Sequence, residues 1–140
     1  MAEFTLRDAT YRSSKMSGLT QIHVLRRASP VMLPLFKSAA EGVTAATMAA
    51  VVEGLGALPD DAMDYILQHT LAVVERRQSE TVWAKVQAPG GRTLMFSDIA
   101  ADGLLMLAIC ANVLIDNYYP LFREAPELFK GGGLLTPWTS

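Results

Sequence analysis

The sequence is poor in the side chains that most often carry chemistry. Its 140 residues include a single cysteine, Cys110, and only two histidines, His23 and His69. One cysteine excludes an intrachain disulfide, and neither histidine has the spacing to cysteines or carboxylates that a zinc site needs. No Ser-His-Asp or Cys-His catalytic arrangement is favoured by so few candidates. We therefore expect no metal site, no cofactor and no enzymatic activity.

Charge is also sparse and nearly balanced. The chain has 12 Lys and Arg against 14 Asp and Glu, and only 19% of its residues are charged. It therefore lacks the basic surface that nucleic-acid binding requires. The first residues, MAEFTLRD, do not have the basic-then-apolar order of a secretory signal, and no apolar run reaches the roughly 20 residues of a membrane span. We expect a cytoplasmic protein with neither nucleic acid nor membrane as a partner.

Apolar residues are abundant, at 51% of the chain. The densest stretch is 98–119, DIAADGLLMLAICANVLIDNYY, in which Asn112 is the only polar residue between Leu104 and Ile115. A surface helix has one apolar stripe and a polar back, whereas this stretch is apolar on nearly every side. It predicts a buried central helix, capped by Ser97 or Asp98 and ended by Pro120.

The first half of the chain predicts further helices. One begins near Leu19, with Ser17 or Gly18 as its N-cap, and has Leu19, Ile22 and Leu25 on its apolar face. It carries Arg26-Arg27 in its last turn before Ser29-Pro30 stops or kinks it. A short turn through 31–36 follows. The next predicted helix is alanine-rich and covers 39–58, and its residues at helical spacing are Val43, Ala46, Ala50, Val51 and Leu55.

The clearest helix start in the chain is Leu58-Pro59-Asp60-Asp61. Acidic residues there complement the positive end of the helix dipole, and Arg76-Arg77 complement the negative end. We therefore predict a helix between these two charged pairs.

Two stretches have the alternation of β-hairpins. Residues 3–14 place Asp8 in a turn, and residues 81–96 place two β-prone runs on either side of Pro89-Gly90-Gly91. The predicted fold class is α+β, mainly α, with about five helices around the buried helix 98–119 and two short hairpins at 3–14 and 81–96 that pair into one small sheet. Residues 1–130 are predicted to form a single domain, followed by a glycine-rich break and an apolar tail at 131–140.

The C-terminal tail is the best candidate for a binding segment. Leu134-Leu135-Thr136-Pro137-Trp138 is too apolar for a solvated terminus, so we expect it to dock on its own domain or on a partner. Arg26 and Arg27 are explained more simply by the end of a helix, but they are also candidates for a binding surface. The residues assigned to partner binding are Arg26, Arg27, Leu134, Leu135 and Trp138.

Several sequence motifs occur in an order that points to one protein family. A hairpin with FTL and YR is followed by MSGLTQIHVLRR at 16–27, LPDDAMDYIL at 58–67, LMFSDI at 94–99 and NYYPLF at 117–122. In this order the chain resembles, over residues 4–122, the tail assembly chaperones of long-tailed bacteriophages.

The resemblance implies a phage or prophage protein in the cytoplasm of the bacterial host. Such a protein binds the tape measure protein and helps tail tube subunits polymerise around it, which makes the tail tube protein a second partner; a frameshifted longer product often exists. A long helical protein with apolar stripes aggregates unless it is covered, and a small domain with apolar grooves can cover it.

Two other functions stay open at this point. A structural adaptor retained in the finished tail would use the same apolar surface. A small-ligand-binding domain would need a closed pocket with convergent polar groups, for which the sequence offers few candidates.

Overall fold

The computed structural model describes residues 2–42, 44–91 and 93–128. Over these residues the fold is α+β and mainly α, with five helices and a four-stranded antiparallel sheet, as predicted. In chain order the elements are β1 (Ala2–Leu6), β2 (Ala9–Ser13), α1 (Gly18–Glu41), α2 (Ala45–Gly56), α3 (Asp60–Leu71), β3 (Val74–Arg77), β4 (Trp83–Lys85), α4 (Ser97–Ala100) and α5 (Gly103–Leu128).

The N-terminal hairpin confirms its prediction to within one residue. Its turn is formed by Arg7 and Asp8, which both have positive φ, at 49° and 66°. Such a turn matches the right-handed twist of paired strands. The sheet has the order β1-β2-β3-β4, with Tyr11 at the centre opposite Phe4 on one side and Arg76 on the other. The prediction of one small sheet that includes the N-terminal hairpin is therefore confirmed.

The second hairpin lies earlier in the chain than predicted. β4 pairs with β3. Among the described residues of 81–96, the predicted pairing is reduced to a single bridge between Gln87 and Leu94. Arg76 and Arg77 lie in β3 and do not end a helix. A basic pair indicates the end of a helix only when the helix extends to that pair. Here α3 ends at Leu71, and the buried Val74 begins a strand before the chain reaches Arg76.

Helix α1 corrects three helical predictions. It runs without interruption through Pro30 and Pro34, so Arg26 and Arg27 lie in its middle and the expected turn at 31–36 is part of it. Its buried face is not the predicted one, because Leu19 is 67% exposed and the buried side chains are Val24, Ala28, Val31, Met32, Leu35 and Phe36. Burial of these side chains outweighs the cost of a proline in a helix, about 3 kcal/mol.

The alanine-rich segment predicted as one helix at 39–58 is divided between two helices. Its first residues belong to α1, which ends at Glu41 and is followed by the C-cap Gly42, whose φ is +91°. Helix α2 then begins with a capping box, in which the Thr44 hydroxyl accepts from the N–H of Thr47 and the Thr47 hydroxyl accepts from the N–H of Thr44. The alanines favour one continuous helix, but the glycine ends α1 and the capping box starts α2. These two local signals outweigh the helix propensity of the alanines.

Helix α5 is the central helix, but its bounds and its burial differ from the prediction. Asp102 separates it from the short α4 and accepts from the N–H of Leu105. It continues past Pro120 to Leu128. Proline cannot donate to the carbonyl four residues earlier, and Lys15 Nζ donates to that carbonyl, of Asp116, instead. Leu104 is 65% exposed, so the helix is not buried on every side.

The core consists of two clusters that meet along α5. One contains Cys110, Leu114 and Tyr118 together with side chains of α1 and α3. The other contains Leu105, Ile109, Val113 and residues of the sheet side, including Tyr11 and Val74. Two faces of α5 are therefore covered by different parts of the same molecule. None of the helices described is long and apolar enough to cross a membrane.

Candidate functional site

A groove between α1, α2 and α5 is lined almost entirely by apolar side chains. Its volume is about 430 Å³. Each helix contributes one stripe at helical spacing, so that all three present a single face to the groove. The lining residues are Leu35, Ser38 and Ala39 of α1, Met48, Val51, Val52 and Leu55 of α2, and Leu104, Leu107, Ala108, Ala111, Asn112 and Ile115 of α5.

The groove exposes large apolar side chains to water. Leu104 is 65%, Val52 61% and Met48 43% exposed. Its two polar side chains donate to carbonyls of their own helices, Ser38 Oγ to Pro34 O at 3.0 Å and Asn112 Nδ2 to Ala108 O at 2.8 Å. No charged residue lines it among the residues described. The groove therefore offers burial of an apolar surface and little directional polar recognition.

The third face of α5 explains why the whole helix is apolar. Two faces pack in the two core clusters, and the third, from Leu104 to Ile115, forms one wall of the groove. The sequence pattern shows that these side chains avoid water but cannot show what covers them. The prediction of a helix buried on all sides was wrong for this reason.

Helix α2 forms the opposite wall and is positioned by α1. It packs almost entirely on α1. The closest approach is at Gly54, where a Cβ atom would lie 2.5 Å from the carbonyl oxygen of Pro30 and 2.9 Å from Val31 Cγ1. Only glycine permits this approach, and the distance between the two helices sets the width of the groove.

A small cavity lies beneath the groove and shares part of its lining. It has a volume of about 40 Å³, and Leu35, Val51 and Leu107 border both spaces. Cys110 lies at the cavity and is 3% exposed. Burial raises the pKa of its thiol to about 11, so the group stays protonated at neutral pH and behaves as the small hydrophobe that the sequence predicts.

The structure does not bring the two arginines of the predicted binding surface to the groove. Arg26 is exposed and precedes Leu35 by nine residues, which places it on the opposite face of α1. Arg27 is half-buried, lies 3.9 Å above the ring of Tyr65 on α3, and donates to the carbonyl of His23. Its guanidinium therefore holds α1 against α3. Leu134, Leu135 and Trp138 lie outside the described residues.

The same contact between α1 and α3 includes both histidines. The His69 ring lies 4.2 Å from that of Tyr65, and the His23 ring lies 6.4 Å from it on another side. Burial, with the nearby Arg27 and His23, lowers the pKa of His69. Within the described residues no group of three side chains is arranged to hold a metal ion.

The lowered pKa predicts that acid destabilises the protein before its carboxylates titrate. In the unfolded chain His69 binds a proton with an ordinary pKa of about 6.5. In the folded chain its pKa is lower, so the proton binds only at lower pH. The free energy of unfolding should therefore fall as the pH drops from about 7 towards 5. Urea unfolding at a series of pH values tests this, with His69→Gln expected to reduce the slope. An identical slope in both proteins would contradict the assignment.

The sequence pattern identified part of the groove without identifying the site. Val51 and Leu55 belong to the predicted apolar face of α2, but Met48, Val52 and Leu104 were not singled out. The available signal was an excess of apolar stripes over the number that a small domain can bury. That signal predicts an exposed surface and not its location.

A family model described as "Phage tail assembly chaperone protein, TAC" matches residues 7–130. No curated protein and no solved structure matches the chain significantly. The matched range includes all three helices that form the groove. The family resemblance of residues 4–122 is confirmed by this match.

Proposed function

Since this chain belongs to the phage tail assembly chaperone family, we propose that it binds the tape measure protein of a long-tailed phage and assists assembly of the tail tube around it. The tail tube protein is the second partner in this proposal, and the site of action is the cytoplasm of the bacterial host. The role is reversible binding, with no catalytic step and no cofactor.

In this proposal the groove receives one helix of the tape measure protein. The observation that carries it is the matching of three apolar stripes, on α1, α2 and α5, around one open channel. Helix-in-groove recognition uses apolar anchors at i, i+3, i+4 and i+7. The stripe on α5 from Leu104 to Ile115 is about 16 Å long, which corresponds to about three helical turns of a partner.

The size of the groove favours reversible binding. Full burial of one large apolar side chain contributes about 1.5–3 kcal/mol, and association costs at least about 4 kcal/mol. Burial of the three exposed large apolar lining residues, Met48, Val52 and Leu104, therefore leaves a modest net affinity for each molecule. Several copies along a long partner would cover it while each remains able to leave. Arg26 stays a proposed contact outside the groove.

Co-expression with the long open reading frame immediately downstream in the same genome tests the proposal. We expect that protein to be insoluble alone, soluble with this chain and recovered with it in a pull-down. Val52→Asp should abolish the recovery because it puts a charge in the apolar groove. Leu33→Asp is the matched control, because Leu33 is 74% exposed and does not line the groove.

Equal recovery with both variants would contradict the groove as the binding surface. A downstream protein that is equally soluble with and without this chain would contradict the chaperone function itself.

A further inference from the structure

Strand β1 lies at one end of the sheet, and no strand among the described residues pairs with its outer edge. We propose that this edge pairs in the antiparallel direction with β1 of a second copy of the chain, so that two four-stranded sheets join across a two-fold axis at Phe4. The pairing does not depend on the proposed function. Only its consequence does, namely that one dimer brings two grooves to a tape measure protein.

The hydrogen bonds of the neighbouring strands identify the backbone groups on this edge. In an antiparallel sheet, successive residues direct their N–H and C=O groups alternately to one neighbouring strand and to the other. Just beyond β2, the N–H of Ser14 donates to the carbonyl of Val73 on the β3 side, at 3.0 Å. By this alternation Tyr11, three residues earlier, directs its groups to β1, where it lies opposite Phe4. Phe4 is therefore bonded within the hairpin.

The residues on either side of Phe4 direct their backbone groups away from the sheet. These are Glu3 and Thr5, each with one N–H and one C=O on the outer edge. Within the described residues none of these groups has a hydrogen-bond partner. Both side chains are also exposed. Such a row of unpaired strand groups is a template for the addition of another strand.

The opposite edge of the sheet is protected against such pairing. Strand β4 has only three residues and ends with Lys85, and both a short edge strand and a lysine discourage edge pairing. The adjoining carbonyl of Val86 accepts from the N–H of Met95 at 2.8 Å. Strand β1 has five residues and contains neither lysine nor proline. The open edge of the sheet is therefore the one at β1.

The sequence of β1 is complementary to itself in one register. When Phe4 lies opposite Phe4 of the second copy, Glu3 lies opposite Thr5 on both sides of the axis. All the outward groups of both copies then bond, with two hydrogen bonds in each of the two pairs. A register shifted by two residues keeps only one bonded pair, either Glu3 with Glu3 or Thr5 with Thr5. The first of these also places like charges opposite each other. The two-fold register at Phe4 is therefore favoured.

The inner face of β1 leaves room for the second copy. Its side chains Ala2, Phe4 and Leu6 are only half-buried although α5 packs against the strand, which indicates that the helix does not extend across the edge. In the dimer the two Phe4 rings form a cross-strand pair at a non-hydrogen-bonded position, where side chains lie closest. Phe4 already stacks on Tyr11, with ring centroids 5.6 Å apart. The pairing extends this aromatic contact across the two-fold axis.

Opposite charges at position 5 test the pairing. Thr5 is exposed, and in the dimer it lies opposite Glu3 of the other copy. Thr5→Lys should therefore lower the dissociation constant of the dimer several-fold and Thr5→Glu should raise it several-fold, because opposite charges across a strand pair attract and like charges repel. Sedimentation equilibrium of the full-length chain measures this constant. Val52→Asp controls for association through the groove and should leave the constant unchanged.

Amide hydrogen exchange locates the contact. The N–H groups of Glu3 and Thr5 should exchange more slowly as the protein concentration rises, because they are bonded only in the dimer. The N–H of Phe4 is bonded within the hairpin in both states, so its exchange should not depend on concentration in this way.

Three results would overturn the proposal. The first is a parent chain that stays monomeric at millimolar concentration. The second is a dimer whose dissociation constant is unchanged in both variants at position 5 or moves in the same direction in both. The third is protection of Glu3 and Thr5 that is independent of concentration, which would assign the edge to another part of the same molecule. The test contains no tape measure protein, so its failure is distinct from failure of the proposed function.

Discussion

Replacing Gly54 with alanine is expected to destabilise the protein by about 1–3 kcal/mol, the usual cost of overpacking a close contact. Alanine favours a helix over glycine by about 1 kcal/mol, so the expected sign is opposite to that of helix propensity. The added Cβ would lie 2.5 Å from the carbonyl oxygen of Pro30. Because that atom belongs to the backbone, no side-chain rotation relieves the contact and α2 must move away from α1.

Pro34 explains why Gly54 can lie so close to the carbonyl oxygen of Pro30. The N–H of residue 34 would normally bond the carbonyl of Pro30, and proline has none. The hydrogen of Gly54 that a Cβ atom would replace points towards this oxygen, an arrangement that suits a weak Cα–H···O interaction. The proline that the sequence marks as a helix breaker thus belongs to the contact that positions one wall of the groove.

Gly56→Ala is the matched control for Gly54→Ala. It lies in the same helix, and a Cβ atom there would meet nothing within 4 Å. We expect its free energy of unfolding to stay within about 0.5 kcal/mol of the parent protein or to rise slightly. Urea unfolding of the parent protein and the two variants measures these free energies. Equal stability of the two variants would show that α1 and α2 are not in close contact at Gly54.

Truncation of Asn117 to alanine should have an effect of similar or larger size. Asn117 is 1% exposed, and its Oδ1 accepts from the backbone N–H of Met16 at 2.9 Å and from Gln21 Nε2 at 3.1 Å. Its Nδ2 donates to the carbonyl of Val113 at 2.9 Å. We expect a loss of about 2–4 kcal/mol, because an unpaired buried donor costs about 1–3 kcal/mol and a cavity is added.

The bonds of Asn117 connect the start of α1 to the middle of α5, so its loss should loosen that junction first. Asn112→Ala supplies the comparison within the same helix, since the Asn112 amide donates to its own helix at Ala108. There we expect a change below about 1 kcal/mol. Amide hydrogen exchange at Met16 and the residues that follow reports the junction directly. Unchanged exchange in Asn117→Ala would contradict this role.

Local signals in the sequence predict much of the fold. Ser17 as a helix cap, Asp8 in a hairpin turn and the start of α3 at Asp60 depend on neighbouring residues, and the structure confirms all three. The family was also recognisable, because its motifs follow one another along the chain.

The errors occur where a distant residue decides the outcome. Pro120 stays within α5 because Lys15, more than a hundred residues earlier, donates to the carbonyl that proline leaves unbonded. Arg76 is in a strand where it pairs with Asp98, with Nη1 at 2.8 Å from Oδ2. Helix propensity and charge patterns near these residues contain no information about such partners.

The candidate site could not be predicted for a related reason. The apolar residues of α5 form one pattern in the sequence, but two faces of the helix meet the core and the third meets the groove. Hydrophobicity predicts removal from water without naming the covering surface. The unassigned Leu104 and Val52 are therefore the residues whose exposure most directly supports a binding role.

Photocrosslinking from the groove is the most direct test of the central claim that this surface binds the tape measure protein. A benzophenone amino acid replaces Val52 in one protein and Leu33 in another, and each is co-expressed with the downstream long open reading frame. We predict crosslinks to that partner from position 52 and not from position 33. Crosslinks from position 33 alone, or from neither position although the partner is recovered in the pull-down, would contradict the claim.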